Sequence, residues 1–309
     1  MFTSRPFRFG VAGEHAKTRK EWIAKARLAE SLGYHIFLVP DHFWIDVAPI
    51  SALMAAADAT TSIRIGSHIF ANDFRNPAML VREAATLDML SEGRFQLGLG
   101  SGYLPADYQQ AGISFDEPRV RVDRLQEAVQ IIKGYFTEEA VNFSGRYYRV
   151  SNLKANGVHV QKPYPPLYIG GGGKRMLSLA AREADIVGFA PKSDAQGLHW
   201  DDSTVEATIR KLTWVHEAAG NRFASLELAT AVFIVVVTDH QWPVAQNMAQ
   251  KLGITPAQVL DSLQILIGTV DQIAETLRQR RERLGISYIQ IGDAHLETLA
   301  PVIQRLAGV

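Results

Sequence analysis

The sequence predicts an α/β protein of the (β/α)8 TIM-barrel type with insertions. Three observations carry that expectation. Short β-branched or aromatic runs alternate with longer amphipathic segments along the chain. Eight such runs can be counted, which suits a closed parallel barrel better than an open doubly wound sheet. Finally, 309 residues, 47% of them hydrophobic, can bury one core of that size, and no low-complexity linker divides them. Residues 1–309 are therefore read as a single domain.

In order, "RFGVAG" is the first strand, "RKEWIAKARLAESLG" the first helix and "HIFLVPDH" the second strand. "APISALMAAADATTS", "IRIGSHIF", "NPAMLVREAATLDMLSEG" and "RFQLGLGSG" continue the rhythm, with Pro77 in a first helical turn after Asn76 and Gly93 closing the helix. The alternation resumes at "PLYIGGGG" and runs through "MLSLAAREA", "DIVGFAP", "STVEATIRKLTWVHEAAG", "LELATAVFIVVVT", "TVDQIAETLRQRRERLG" and "YIQIGD". Three stretches read as insertions: roughly 103–166, with a helix and the hairpin-like "AVNFSGRYYRV"; 192–202, containing "SDAQGLHW"; and 240–268, with extra helix.

Composition narrows the function. Lys plus Arg and Asp plus Glu each number 32, so no basic excess exists to neutralise a nucleic-acid backbone or an anionic membrane surface. A small molecule is the expected partner. The absence of cysteine excludes disulfides, thiolate nucleophiles and iron–sulfur clusters, and suits a reducing, cytoplasmic setting. The N-terminus has no apolar signal core, and the greasy run "AVFIVVV" is too short to span a bilayer. The nine histidines show no metal-binding spacing, so no metal is expected, and Ser101 sits in no G-x-S-x-G elbow.

A parallel barrel places its chemistry where the C-terminal ends of its strands converge. Those ends carry Gly13-Glu14-His15, Asp41-His42-Phe43-Trp44, Ser67-His68-Ile69-Phe70, Ser101-Gly102-Tyr103 and Gly170 to Gly173. Four glycines ahead of Lys174, Arg175 and a helix can expose backbone N–H groups to a phosphate; the competing reading is a tight turn that needs positive φ. Asp41 can orient or charge His42 for proton transfer, although Asp41 could instead cap a helix and His42 pack passively. "GLGSGY" lacks the G-x-G-x-x-G spacing of a dinucleotide fold, and reads either as backbone approaching a flat ring or as a glycine-rich bend.

"DHFW", "FRNPAMLVREAATLDMLSEGRFQLGLGSGY" and "PLYIGGGGKRMLSLAAREADIVG" together resemble the bacterial-luciferase-like flavin and deazaflavin oxidoreductases along nearly the whole chain. "NDFRNPA" and the motif after it most resemble the branch that uses coenzyme F420, an 8-hydroxy-5-deazaflavin. The resemblance implies that Asp41 and His42 lie beside the deazaflavin ring, that Ser101 and Gly102 line it, and that His68 and Phe70 back it. It implies a non-proline cis bond at Ser67-His68, and places Gly172, Gly173, Arg175 and Met176 on the phosphate region. A homodimer is expected. His42 is the first candidate for proton transfer and Tyr103 the second, with Asp41 orienting the histidine or bonding the cofactor and Trp44 walling the substrate. Sugar-phosphate dehydrogenases of the family carry a glutamate where this chain has Tyr103, which argues against sugar-phosphate oxidation. The expected activity is hydride transfer between coenzyme F420 and a small organic substrate. The alternatives are an FMN-dependent monooxygenase and a cofactor-binding protein without turnover.

Overall fold

A computed structural model describes residues 5–155, 157–194 and 197–306. The eight expected strands form: β1 (Arg8–Ala12), β2 (Ile36–Val39), β3 (Arg64–Ser67), β4 (Phe95–Gly100), β5 (Leu167–Gly171), β6 (Ile186–Phe189), β7 (Glu227–Val232) and β8 (Ile286–Gly292). Their order in the sheet is β3-β2-β1-β8-β7-β6-β5-β4, and a parallel β3–β4 pairing, Ile65 opposite Phe95 and Gly66 opposite Gln96, closes the ring. The fold is a (β/α)8 barrel.

The helices are α1 (Arg19–Ser31), α2 (Pro49–Ala59), α3 (Pro77–Leu90), α4 (Pro105–Ala111), α5 (Pro118–Thr137), α6 (Lys174–Glu183), α7 (Val205–Ala219), α8 (Gln241–Leu252), α9 (Pro256–Asp261), α10 (Val270–Leu284) and α11 (Leu296–Leu306). Proline opens α2, α3, α4, α5 and α9, where its missing N–H forfeits no helical bond. Pro77 opens α3 as expected, and Asn76 before it caps the helix, its side chain accepting from Ala78 N at 2.9 Å.

By contact density the chain divides into two compact units. The first holds 1–12, 28–35 and 170–309, the second 13–27 and 36–169. In the second, Ile36, Phe37, Leu38, Ile65, Phe95, Leu97 and Leu99 are buried strand residues under α2 and α3. The interruption after β4 contains the predicted hairpin, Val141–Ser144 against Arg149–Leu153. It also contains α5, which packs on α3 with one face buried, so part of the supposed insertion is the barrel's own helix between β4 and β5. The short helix α4 is not foreshadowed in the sequence.

In the first unit, "LELATAVFIVVVT" does not form one strand. β7 stops at Val232, Phe233 N and Ile234 N both donate to Gln264 O, and Ile234–Val237 pairs in parallel with Ile265–Gly268 in a separate two-stranded sheet. Helices α8 and α9 lie between those strands in sequence and share a core with them, made of Ala245, Ala249, Val259, Ile265 and Ile267. The third insertion therefore begins before residue 240. The second contains a short antiparallel pair, Ser193–Asp194 against Gly197–Leu198; its centre, residues 195–196, lies outside the described residues.

Among the described residues no helix is long and apolar enough to cross a membrane. Lys211 on α7 is buried with its ammonium on Ala190 O at 2.8 Å, Asp202 O at 2.8 Å and Asp202 Oδ2 at 2.7 Å. Burial pushes its pKa down, against the pull of Asp202. Asp202→Ala should therefore lower the unfolding free energy by about 3 kcal/mol in urea titration, because it strands a buried cation. A loss below about 1 kcal/mol would mean that the two carbonyls suffice.

Candidate active site

In the second unit His42 follows β2 and meets Asp107 from the first turn of α4. Its Nδ1 lies 2.6 Å from Asp107 Oδ2, and Phe43 N donates to Asp107 Oδ1 at 3.2 Å. The Asp107 side chain is only 4% exposed and that of His42 21%, and Nε2 of His42 has no hydrogen-bond partner among the described residues. Trp44 stacks on the imidazole at 5.6 Å with 19° between planes, and Tyr103 meets it edge-on at 5.5 Å and 87°. Trp44 and Tyr103 each leave about half their surface open. Although partly open, Tyr103 has its phenol pKa raised, by desolvation first and by the Asp107 charge second. On the far side of Trp44 stands His15, 5.8 Å away ring to ring and 3.4 Å from Asp46.

Asp41 does not orient His42. Its carboxylate is held by Arg75, with contacts of 2.5 and 2.8 Å, and accepts from Ala71 N at 3.0 Å. Both residues lie in the loop after β2, and each takes a partner of its own: Asp41 the Arg75 side chain, His42 the Asp107 carboxylate. Asp41 thereby ties the end of β2 to the segment after β3.

Two further expectations change. The hydroxyl of Ser67 is fully buried and both donates to Gly98 O and accepts from Gly98 N, each at 2.9 Å, while Phe70 has no exposed surface and lies 4.9 Å below the Arg75 guanidinium. These side chains hold backbone in place and offer no face to a ligand. The cis bond falls one residue later than expected, at His68-Ile69, after Ser67 ends β3. His68 is half-buried, its ring 5.8 Å from Tyr168.

After β4, Gly102 has φ +72°, and a Cβ there would fall 2.1 Å from the Tyr108 hydroxyl. That hydroxyl faces Ser101 O at 3.1 Å and Asp73 Oδ2 at 3.0 Å, and Arg121 donates to Gly102 O. The backbone at 101–102 is thus clamped, while the Ser101 hydroxyl has no protein partner among the described residues.

The glycine run sits in the first unit. None of Gly170 to Gly173 has positive φ, so a left-handed turn does not explain it. A Cβ on Gly172 would lie 2.5 Å from the Pro191 backbone, whereas one on Gly173 would meet nothing within 4 Å. Gly173 is the N-cap of α6 and supplies no side-chain cap to the first N–H groups of that ten-residue helix. Lys174 and Arg175 stand in that first turn, and the Met176 side chain is buried. This arrangement suits a phosphate, and at Gly173 openness is the only use that glycine serves.

No pattern in the sequence singles out Asp107, Arg75, Tyr108 or Arg121. "LPADY" does carry a signal, a proline-led turn with an acid in it directly after a strand end. Among the described residues no group of three or more His, Asp or Glu is placed to hold a metal ion.

Fold and side chains together define a (β/α)8-barrel protein with a histidine–carboxylate pair after β2 and an open, glycine-led helix start after β5. The chain belongs to the luciferase-like monooxygenase family, whose sequence pattern matches residues 1–254. It is 27% identical over 274 residues to the F420-dependent glucose-6-phosphate dehydrogenase of Amycolatopsis mediterranei strain U-32, covering 83% of this chain and 79% of that one. It is 31% identical over 185 residues to the F420-dependent hydroxymycolic acid dehydrogenase of Mycobacterium tuberculosis H37Rv, covering 57% of this chain and about half (51%) of the relative. Its fold matches the coenzyme F420 dependent tetrahydromethanopterin reductase of Methanopyrus kandleri with a TM-score of 0.77 at 18% identity, over 98% of this chain and all of that one.

Gly102→Ala should cost about 1–3 kcal/mol of stability, through overpacking on Tyr108 and an unfavourable φ. In the same thermal-unfolding series Ser101→Ala should stay within about 0.5 kcal/mol of the parent.

Proposed function

We propose that this protein is a coenzyme-F420-dependent oxidoreductase that exchanges a hydride with a small organic substrate, working in the cytoplasm as a homodimer. The observation that carries the chemistry is His42: one ring nitrogen is fixed on a buried carboxylate and the other is open beside two half-exposed aromatic rings. The names of the curated relatives support F420 over FMN. The absence of cysteine supports a reducing compartment, and the homodimer rests on the family resemblance.

Gly172, Gly173, Arg175 and Met176 would hold the phosphate region, through backbone N–H groups and the Arg175 charge. Ser101, Gly102 and His68 would line the ring, on backbone held by Tyr108, Arg121 and the Asp41–Arg75 pair. Coenzyme F420, when bound, supplies two-electron hydride exchange at a ring carbon. His42 takes the hydroxyl proton when an alcohol is oxidised, or returns it when a carbonyl is reduced, at Nε2. Tyr103 keeps its phenolic proton and donates a hydrogen bond to the substrate oxygen. Trp44 forms the opposite wall. With Tyr103 in place of a carboxylate, the chain has no second base beside His42 at this position.

Tryptophan-quenching titrations with coenzyme F420 and FMN in parallel should give a dissociation constant about tenfold or more lower for F420, and tighter FMN binding would favour the monooxygenase reading. Gly173→Val should weaken F420 about tenfold with unchanged thermal unfolding, since its side chain meets only the ligand's space. Gly172→Val should instead lower the unfolding temperature, because it strikes the Pro191 backbone.

On a panel of secondary alcohols, ketones and hexose phosphates, His42→Ala should slow turnover of the accepted substrate by about 10²–10⁴ with little change in F420 affinity. Normal turnover in His42→Ala together with its loss in Tyr103→Phe would move the proton role to the tyrosine.

A further inference from the structure

We propose that Asp107 is the positioning residue of this site: its carboxylate holds the His42 imidazole in the Nδ1–H tautomer and leaves Nε2 as the atom that exchanges the proton. The inference rests on the reading of His42 as the proton carrier.

Asp107 is an isolated acid in an expensive place. Its side chain is 4% exposed, and among the described residues its only ion-pair partner is the imidazole. A buried carboxylate without compensation is strongly unfavourable, so the two bonds it accepts, from His42 and from Phe43 N, are what make its burial tolerable. An acid in the first turn of α4 would favour the helix dipole equally well pointing to water. Inward orientation serves the 42–43 segment.

An ionised carboxylate can only accept, so the neutral imidazole must carry its proton on Nδ1 and its lone pair on Nε2. Rotation of the ring is blocked by Trp44 stacked at 5.6 Å and by Tyr103 edge-on at 5.5 Å. When an alcohol is oxidised, its hydroxyl proton passes to Nε2, while coenzyme F420, when bound, would accept the carbinol hydrogen as hydride. The C=O double bond forms from the electron pair of the O–H bond, and the resulting imidazolium stays paired with Asp107.

Asp107→Asn tests the tautomer without removing the contact. Phe43 N–H requires an acceptor, so it turns the amide oxygen to itself and the NH2 group to Nδ1. That NH2 donates, and Nδ1 must become the acceptor. The imidazole proton moves to Nε2, where it blocks proton uptake from an alcohol.

The groups facing the imidazole are Asp107 on α4 and Tyr103 on the loop after β4, with the His15–Asp46 pair beyond Trp44 and the Asp41–Arg75 pair at the preceding residue. Of these, Asp107 alone contacts a ring nitrogen.

The experiment combines long-range 15N–1H NMR of histidine-labelled, cofactor-free protein with kinetics on the accepted substrate. With the imidazole neutral, wild type should show a protonated Nδ1 and a bare Nε2 for His42, and Asp107→Asn the reverse. Turnover in Asp107→Asn should fall about 10²–10⁴-fold with KM changed less than about threefold, and Asp107→Glu should recover part of the loss. A protonated Nε2 in wild type, or unchanged turnover in Asp107→Asn, would overturn the proposal. If His42→Ala is inactive while Asp107→Asn is normal, the positioning role fails and the proton role stands; if His42→Ala is fully active, the reading of His42 itself fails. Should Asp107→Asn not fold, the wild-type tautomer and the Asp107→Glu rates decide.

Discussion

A carboxylate taken out of water must be answered by donors, and this protein uses that obligation to fasten the loops at its strand ends. Asp41, after β2, holds Arg75 and the Ala71 amide. Asp107, after β4, reaches back to His42 and Phe43. Asp73 receives Tyr108 and Arg124 at 3.0 and 2.7 Å. On the approach to β5, Asp88 accepts from Val160 N, Gln161 N and the Gln161 amide, and after β6 Asp202 holds Lys192 N and Lys211. All but Asp202 tie together chain segments 30 or more residues apart. Loops bearing functional side chains are ordinarily the mobile part of such a fold; here each has a polar anchor that it cannot exchange for solvent without uncovering a buried charge.

The barrel was legible because eight buried strands must be short, apolar and separated by amphipathic helices, and that rhythm is a property of local sequence. The Pro77 start of α3 and the hairpin at 141–153 were legible for the same reason. What escaped depends on partners distant in sequence. Asp41 and His42 look like a pair because they are adjacent, yet each finds its partner 34 or 65 residues away. Helix α4 has seven residues, too few to show a helical period, and it carries the acid that matters most. The Val-rich run shows no sign of its break at Phe233, since both halves are apolar and β-branched, although β7 is buried and the second half, Ile234–Val237, buries only Val235.

The glycine run has the openness that a phosphate requires, but not at every position. Its residues divide the work: Gly172 lets the loop lie against the Pro191 backbone, and Gly173 leaves the start of α6 uncovered. A single repeated residue type thus hides two separate requirements, one belonging to folding and one to binding. Only coordinates can separate them, because the distinction lies in what surrounds a missing Cβ.

The small sheet of Ile234–Val237 and Ile265–Gly268, with α8 and α9, has a hydrophobic core of its own. It leaves the barrel directly after β7 and returns to it through α10. A segment with an apolar core of its own can lengthen, shorten or change composition while the strand order beneath it stays as it is. Diversification can therefore proceed at the exit of one strand, with the eight-stranded frame inherited unaltered.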